Sequence, residues 1–168
     1  MKDKVIFLDV DGVLNNGLEV DIHETALLDG EYYGLYSPRC INKLNDLIKA
    51  TDARVVLSST WRLGISLDQA KTLLKGMGVL GEVIGMTEYL PESYTCRGNE
   101  INKWITDNKD EFDYRGYVIL DDDSDMLLWQ KDNYVNCDPE IGMTDRTVAR
   151  AVAILNNAPC KDIGQEFV

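Results

Sequence analysis

Histidine is nearly absent from this chain: His23 stands alone among 168 residues. The four cysteines, Cys40, Cys96, Cys137 and Cys160, form no CxxC pair. These two shortages exclude the usual tetrahedral zinc sites, which draw on closely spaced Cys and His, and His23 is expected to have no catalytic part. No apolar run approaches the roughly 18 residues that a membrane-spanning helix needs. No GxxxxGK(S/T) loop occurs, so a nucleotide-kinase site of that type is excluded. Repeats and low-complexity stretches are missing too. The first apolar run is short and ends at Asp9, unlike a secretory leader. A cytoplasmic protein with reduced thiols is the expectation.

Basic residues are the other scarce class, 17 Lys and Arg against 29 Asp and Glu, for a net charge of −12. Such a chain is repelled overall by nucleic-acid backbones and anionic membranes. No membrane partner and no strong non-specific nucleic-acid binding are expected, although a local basic site is compatible with the balance. What is present is ordinary: 45% apolar and 27% charged residues, as in soluble globular proteins. The length suits one domain over residues 1–168, and a chain of this size buries about 70% of its unfolded surface without needing a disulfide or structural metal.

Strand and helix patterns alternate. Val5–Leu8 is a continuous apolar run, as expected of a strand buried on both faces. Residues 12–36 read as irregular. Ser37-Pro38 opens a helix with Ile41, Leu44, Leu47 and Ile48 on one face. A strand over Arg54–Ser59 follows, then a helix capped by Ser66 and stopped by Gly78. A short strand near Glu82–Gly85, a loop at 86–97 and a helix carrying Ile101, Trp104 and Ile105 lead to a third apolar strand, Tyr117–Leu120. A weak strand at Tyr134-Val135 and a helix over about Thr144–Asn156 complete the pattern. This order predicts an α/β, Rossmann-like three-layer sandwich with a mainly parallel sheet. Ligands bind such sheets at the carboxyl edge, so Asp9, Ser59 and Asp121, which end buried strands, are expected to converge there.

Three segments carry chemistry. In Asp9-Val10-Asp11-Gly12-Val13-Leu14, two carboxylates two positions apart project to the same side of an extended chain, and Gly12 allows a sharp turn beside them. Val55-Val56-Leu57-Ser58-Ser59-Thr60-Trp61-Arg62 delivers hydroxyls to a strand end, where they suit a phosphate oxygen. Taken alone, an ordinary strand-to-loop cap is the better explanation of it. Arg62 is either a cation at the same edge or a surface residue. Val118-Ile119-Leu120-Asp121-Asp122-Asp123-Ser124-Asp125 crowds four aspartates behind a buried strand. A divalent cation relieves that repulsion, and hard oxygen ligands suit Mg²⁺. Asp123 and Asp125 read better as exposed residues or caps of a following helix.

Together, in this order, the three segments resemble the haloacid dehalogenase (HAD) superfamily of phosphohydrolases, from about residue 4 to 156. They look most like small phage and bacterial HAD domains, some attached to RNA-repair proteins. The resemblance implies Asp9 as the nucleophile that becomes an aspartyl phosphate. It implies Asp11 as general acid and then base, its backbone carbonyl also a metal ligand. Asp9, Asp11, Asp121 and Asp122 would form the Mg²⁺ site. Ser59, or Ser58 one register back, would hold the phosphoryl group. The family's remaining cation is read as Arg97, ahead of the helix, with Lys103 the alternative; Arg97 offers a bidentate phosphate contact.

Residues 15–37 are too few for a folded cap domain and are read as a small lid insertion, a hairpin or a loop. Its cluster of Tyr32, Tyr33, Gly34, Leu35 and Tyr36 either covers the site or stacks a base; a loop packed on its own aromatics is an equal reading. An open site of this kind admits large substrates. The implied partner is a phosphorylated substrate: a nucleotide, a nucleic-acid 3′-phosphate end or another phosphomonoester. A non-catalytic HAD-like metal- and phosphate-binding module is the alternative, disfavoured because Asp9 and Asp11 are both present. A phospho-receiver domain would carry its acceptor Asp at the end of an internal strand, where this chain has Ser58-Ser59.

Overall fold

The computed structural model of the protein describes residues 3–91 and 96–157. Part of the expected 86–97 loop, Cys160 and both ends of the expected 1–168 domain lie outside the described residues. In chain order the elements are β1 (Asp3–Leu8), β2 (Glu24–Leu28), β3 (Glu31–Tyr36), α1 (Pro38–Thr51), β4 (Arg54–Leu57), α2 (Leu67–Gly76), β5 (Val83–Met86), α3 (Arg97–Asp107), β6 (Phe112–Asp121), β7 (Tyr134–Asn136) and α4 (Asp145–Leu155). Five strands form one sheet in the order β5-β4-β1-β6-β7, and every pairing in it is parallel. Helices flank it, giving the α/β, Rossmann-like sandwich that the alternating pattern predicts. No helix among the described residues is long and apolar enough to cross a membrane.

The strand period of two divides the core. Ile6, Leu8, Val55, Leu57, Val118 and Leu120 face the larger cluster, with residues of α1, α2 and α4. Their neighbours Val5, Phe7, Val56, Tyr117 and Ile119 face the other way, onto Ile101 and Trp104 of α3. There Phe7 meets Trp104 and Tyr117 edge to face, with ring centroids 5.4 and 5.8 Å apart, the geometry that ring quadrupoles favour.

Helix starts follow local chemistry. Ser37 accepts from the Cys40 amide ahead of Pro38, and Asp52 ends α1 in the left-handed region at φ 54°. Ser66 and Gln69 form a reciprocal capping box at α2, and Thr144 accepts from the Thr147 amide at α4. The structure corrects two readings. Residues 12–36 are not irregular throughout: β2 and β3 form an antiparallel hairpin. Asp29 and Gly30 turn it with φ of 52° and 83°, as a two-residue Asp-Gly loop requires. Strand β6 also begins at Phe112, well before its apolar run.

Candidate active site

Register assembles the site. Leu8 pairs with Leu57 on one side and Leu120 on the other. One step further, the Ser58 amide donates to the Leu8 carbonyl at 2.9 Å and the Asp9 amide to the Leu120 carbonyl at 3.0 Å. Asp9, Ser58 and Asp121 therefore stand in one row across β4, β1 and β6 at their carboxyl edge. The chain runs from β1 out to β5 and then crosses to β6 on the opposite side of β1. The row thus sits at the switch in strand order, where α/β sheets open a crevice. Asp9 and Asp121 also share the parity of Phe7 and Ile119, so their side chains take the face covered by α3.

Oxygens of Asp9, Asp121 and Asp122 lie within 4.8 Å of one another. Asp121 Oδ1 accepts from the Asp123 amide at 2.9 Å, whereas its Oδ2 is buried and makes no hydrogen bond. Gly12, at φ +75°, keeps the turn open for Asp122: a Cβ there would lie 2.5 Å from Asp122 Oδ2. Burial is the largest influence on Asp9 and pushes its carboxyl up to about 6, against the opposing pull of Arg97, the Val10 amide and the Ser59 hydroxyl. Burial together with the charge of Asp9 pushes Asp121 up to about 8. Two buried carboxylates this close resist joint ionisation unless a cation joins them. Three clustered carboxylates, one with a buried oxygen that accepts no hydrogen bond, are a donor set that fits a hard divalent ion.

Arg97, the first residue of α3, brings a cation from the other side. Its Nη1 lies 3.8 Å from Asp9 Oδ1 and 3.6 Å from Asp121 Oδ2, and it donates to the Ser58 carbonyl. Asp125 fixes this helix start, accepting from the Arg97 amide at 2.9 Å through Oδ2 and from the Gly98 amide at 3.1 Å through its carbonyl. Asp125 is thus exposed, as expected, yet it caps a helix that precedes it in sequence. Lys103 is held elsewhere, by Asp107 at 2.6 Å and Glu88 at 3.1 Å.

Arg62 is not a surface residue. Its guanidinium is buried and donates to Glu100 at 2.7 Å, to the Thr87 carbonyl at 2.8 Å and to the Ser59 carbonyl at 2.7 Å. Glu100 in turn lies 3.7 Å from Arg97 Nε. Of the two serines, Ser59 stands beside Asp9, whose carboxyl its hydroxyl pulls down, and accepts from the Trp61 amide at 3.2 Å; the Ser58 hydroxyl is buried without a hydrogen-bond partner. Asp11 is exposed, outside the carboxylate trio. Its Oδ1 accepts from Asn15 Nδ2 at 2.8 Å, and both its oxygens lie 3.1 Å from Trp61 Nε1. The His23 ring accepts from the Asn16 amide through Nε2, at 3.4 Å, away from the acidic row.

Sequence reasoning missed Glu100, Asn15 and any role for Trp61. The last stands two residues after Ser59, and its position was the available signal. Residues 5–148 match the family described as the HAD domain in Swiss Army Knife RNA repair proteins. No curated protein matches the chain.

Proposed function

The chain belongs to this family of HAD domains, and from that premise we propose that it is a Mg²⁺-dependent phosphomonoester hydrolase working through an aspartyl phosphate on Asp9. The observation that carries the proposal is the row at the sheet edge: Asp9, Asp121 and Asp122 oxygens within 4.8 Å, faced by Arg97. Asp9, Asp121 and Asp122 would hold the ion, with the Asp11 carbonyl added by family resemblance. When bound, Mg²⁺ supplies the positive charge that lets a carboxylate approach a phosphate dianion.

The residues divide the rest of the work. An Asp9 oxygen attacks phosphorus as the bond from phosphorus to the leaving oxygen breaks, and Asp11 gives that oxygen its proton. Asp11 then takes a proton from water, whose oxygen attacks the acyl phosphate, releasing inorganic phosphate and restoring Asp9. Arg97 and the hydroxyls of Ser58 and Ser59 hold the phosphoryl oxygens, and the unpartnered Ser58 hydroxyl has capacity for such a contact.

The proposed substrate class is a nucleotide, a nucleic-acid 3′-phosphate end or another phosphomonoester. The RNA-repair setting in the family's description favours the nucleic-acid end, and an end-processing enzyme needs few backbone contacts, which suits an acidic chain. Residues 15–37 act as its small lid. A cytoplasmic setting belongs to the same reading, with Cys40, Cys96 and Cys137 as free thiols.

The test is phosphate release from a panel holding an aryl phosphate, nucleoside monophosphates and a 3′-phosphorylated oligonucleotide, with wild type and Asp9→Asn compared in Mg²⁺ and in EDTA. Release by wild type in Mg²⁺ alone is expected. Equal release by Asp9→Asn, or in EDTA, would sink the proposal.

A further inference from the structure

Asp11 differs from the other carboxylates of the site. Burial and neighbouring strands immobilise Asp9 and Asp121, whereas Asp11 is exposed on a loop, where an Asp side chain ordinarily samples several rotamers. Two donors restrain it, and both are tied to the β2–β3 hairpin. The Trp61 indole N–H reaches both Asp11 oxygens at 3.1 Å. Asn15 donates to Asp11 Oδ1 at 2.8 Å and to the Leu35 carbonyl at 3.1 Å, and accepts from the Gly12 amide at 2.9 Å.

The Trp61 ring is clamped on several sides. A Cβ on Gly34 of β3 would lie 2.4 Å from its Cη2, so only glycine permits the strand to approach this closely. The Tyr33 ring meets it edge-on, with centroids 5.5 Å apart at 66°. The Tyr33 hydroxyl donates to the Trp61 carbonyl, and the Trp61 amide donates to Ser59 Oγ at 3.2 Å. The distal carbons of the indole make the close approach to Gly34, and that packing needs none of the N–H geometry. The donor is aimed.

Resting on the hydrolase reading above, we propose that Trp61 is the positioning residue for Asp11, holding its carboxyl where the leaving oxygen must receive a proton, and that the β2–β3 hairpin acts on the reaction through Trp61 and Asn15. Misplacing a catalytic group by an ångström costs on the order of 100-fold in rate. Proton donation matters most for leaving groups that are poor as anions.

The experiment compares Trp61→Phe with wild type on two esters, an alkyl phosphate and 4-nitrophenyl phosphate. A kcat/KM loss of about 10- to 100-fold is expected on the alkyl ester, with a loss of at most about threefold on the nitrophenyl ester, because kcat/KM reports the departure of the leaving group and not the later hydrolysis of the aspartyl phosphate that both esters share. In an Asp11→Ala background, Trp61→Phe should add nothing on the alkyl ester, the signature of two groups acting as a unit. Equal losses of kcat/KM on both esters, or no loss on the alkyl ester, would overturn the proposal. Should Trp61→Phe not fold, the indole N–H resonance of Trp61 decides. It should move upfield on Asp11→Ala while those of Trp104 and Trp129 stay, and an unmoved resonance would also overturn the proposal. Wild type inactive on both esters would instead count against the hydrolase reading.

Discussion

Arg62 and Glu100 meet at 2.7 Å between side chains only 4% and 9% exposed. Glu100 also lies within ion-pair range of Arg97, so one buried carboxylate orients both guanidinium groups behind the acidic row. Arg62 spends its remaining donors on carbonyls after β4 and β5, joining two loops that would otherwise splay.

Removing Glu100 therefore strands a buried cation. Glu100→Ala should cost about 3–5 kcal/mol of stability, the range for breaking a desolvated pair. Urea unfolding measures it, and a cost below about 1 kcal/mol, typical of exposed pairs, would mean that water reaches Arg62. Phosphate affinity should weaken as well, because Arg97 loses its orienting partner.

The pH dependence of the metal-free protein should run opposite to ordinary acid denaturation. Asp9 and Asp121 are raised from 3.8 to about 6 and about 8 in the folded state, so the native form binds more protons than the unfolded one between pH 4 and 8. Their contribution is favourable below about pH 4 and is lost as pH rises through 6 and 8. In EDTA, stability should fall from pH 5 to pH 8 by about 5 kcal/mol at most, most of it through Asp121. Mg²⁺ should restore it, and more at pH 8 than at pH 5, since bound ligands must be deprotonated. Thermal melts at the two pH values, each with and without Mg²⁺, check the sign.

Asp9→Asn removes one of two mutually repelling buried charges. Turnover should be abolished while metal-free stability at pH 8 rises, and the slope between pH 5 and 8 should flatten. A variant that unfolds would show that Asp9 supports the fold rather than strains it.

Gly12→Ala tests the close approach to Asp122. The added methyl meets Asp122 Oδ2 at 2.5 Å with the backbone at φ +75°, so Asp122 must move. Mg²⁺ affinity by calorimetry should fall at least about tenfold, with a stability cost of about 1–2 kcal/mol from the left-handed backbone. Unchanged affinity would remove Asp122 from the metal site.

Glu19 ties the segment before the hairpin to α1. It accepts from Arg39 and Ser37 at 2.7 Å each and from Asn16 at 2.7 Å, and these bonds, that of Arg39 first, hold its carboxyl down at about 2. Glu19→Gln should cost about 1–2 kcal/mol at pH 7, as expected for a charged hydrogen bond. The contribution is complete above about pH 4.5 and is lost toward pH 2, so wild type and variant should converge in urea midpoint as the pH falls from 5 to 3.

The strands of the site were legible because each is buried on both faces and reads as an unbroken apolar run ending in Asp or Ser. The parallel sheet followed from alternation. A hairpin was one of two readings of residues 15–37, but its strands were not placed, although the Asp29-Gly30 turn signal was present; Glu24, Glu31 and neighbouring acidic residues hid a pattern with only one buried face. The depth of Arg62 was invisible for another reason. It is created by Thr87 and Glu100, 25 and 38 residues away, and an arginine near a loop reads as surface without them. Asp125 likewise caps a helix 28 residues upstream, which no local pattern announces.

The strand order also sets a schedule for synthesis. β1 is made first yet lies in the middle of the sheet, and its second neighbour, β6, is not complete until residue 121. Until then the nascent sheet presents β1 as an open edge beside Val5 and Phe7, an invitation to mispairing. Asp9 spends this interval without Asp121 to repel it. The mutual repulsion of Asp9 and Asp121 thus enters only with β6, after β1, β4 and β5 have been made and before β7 adds the outer strand.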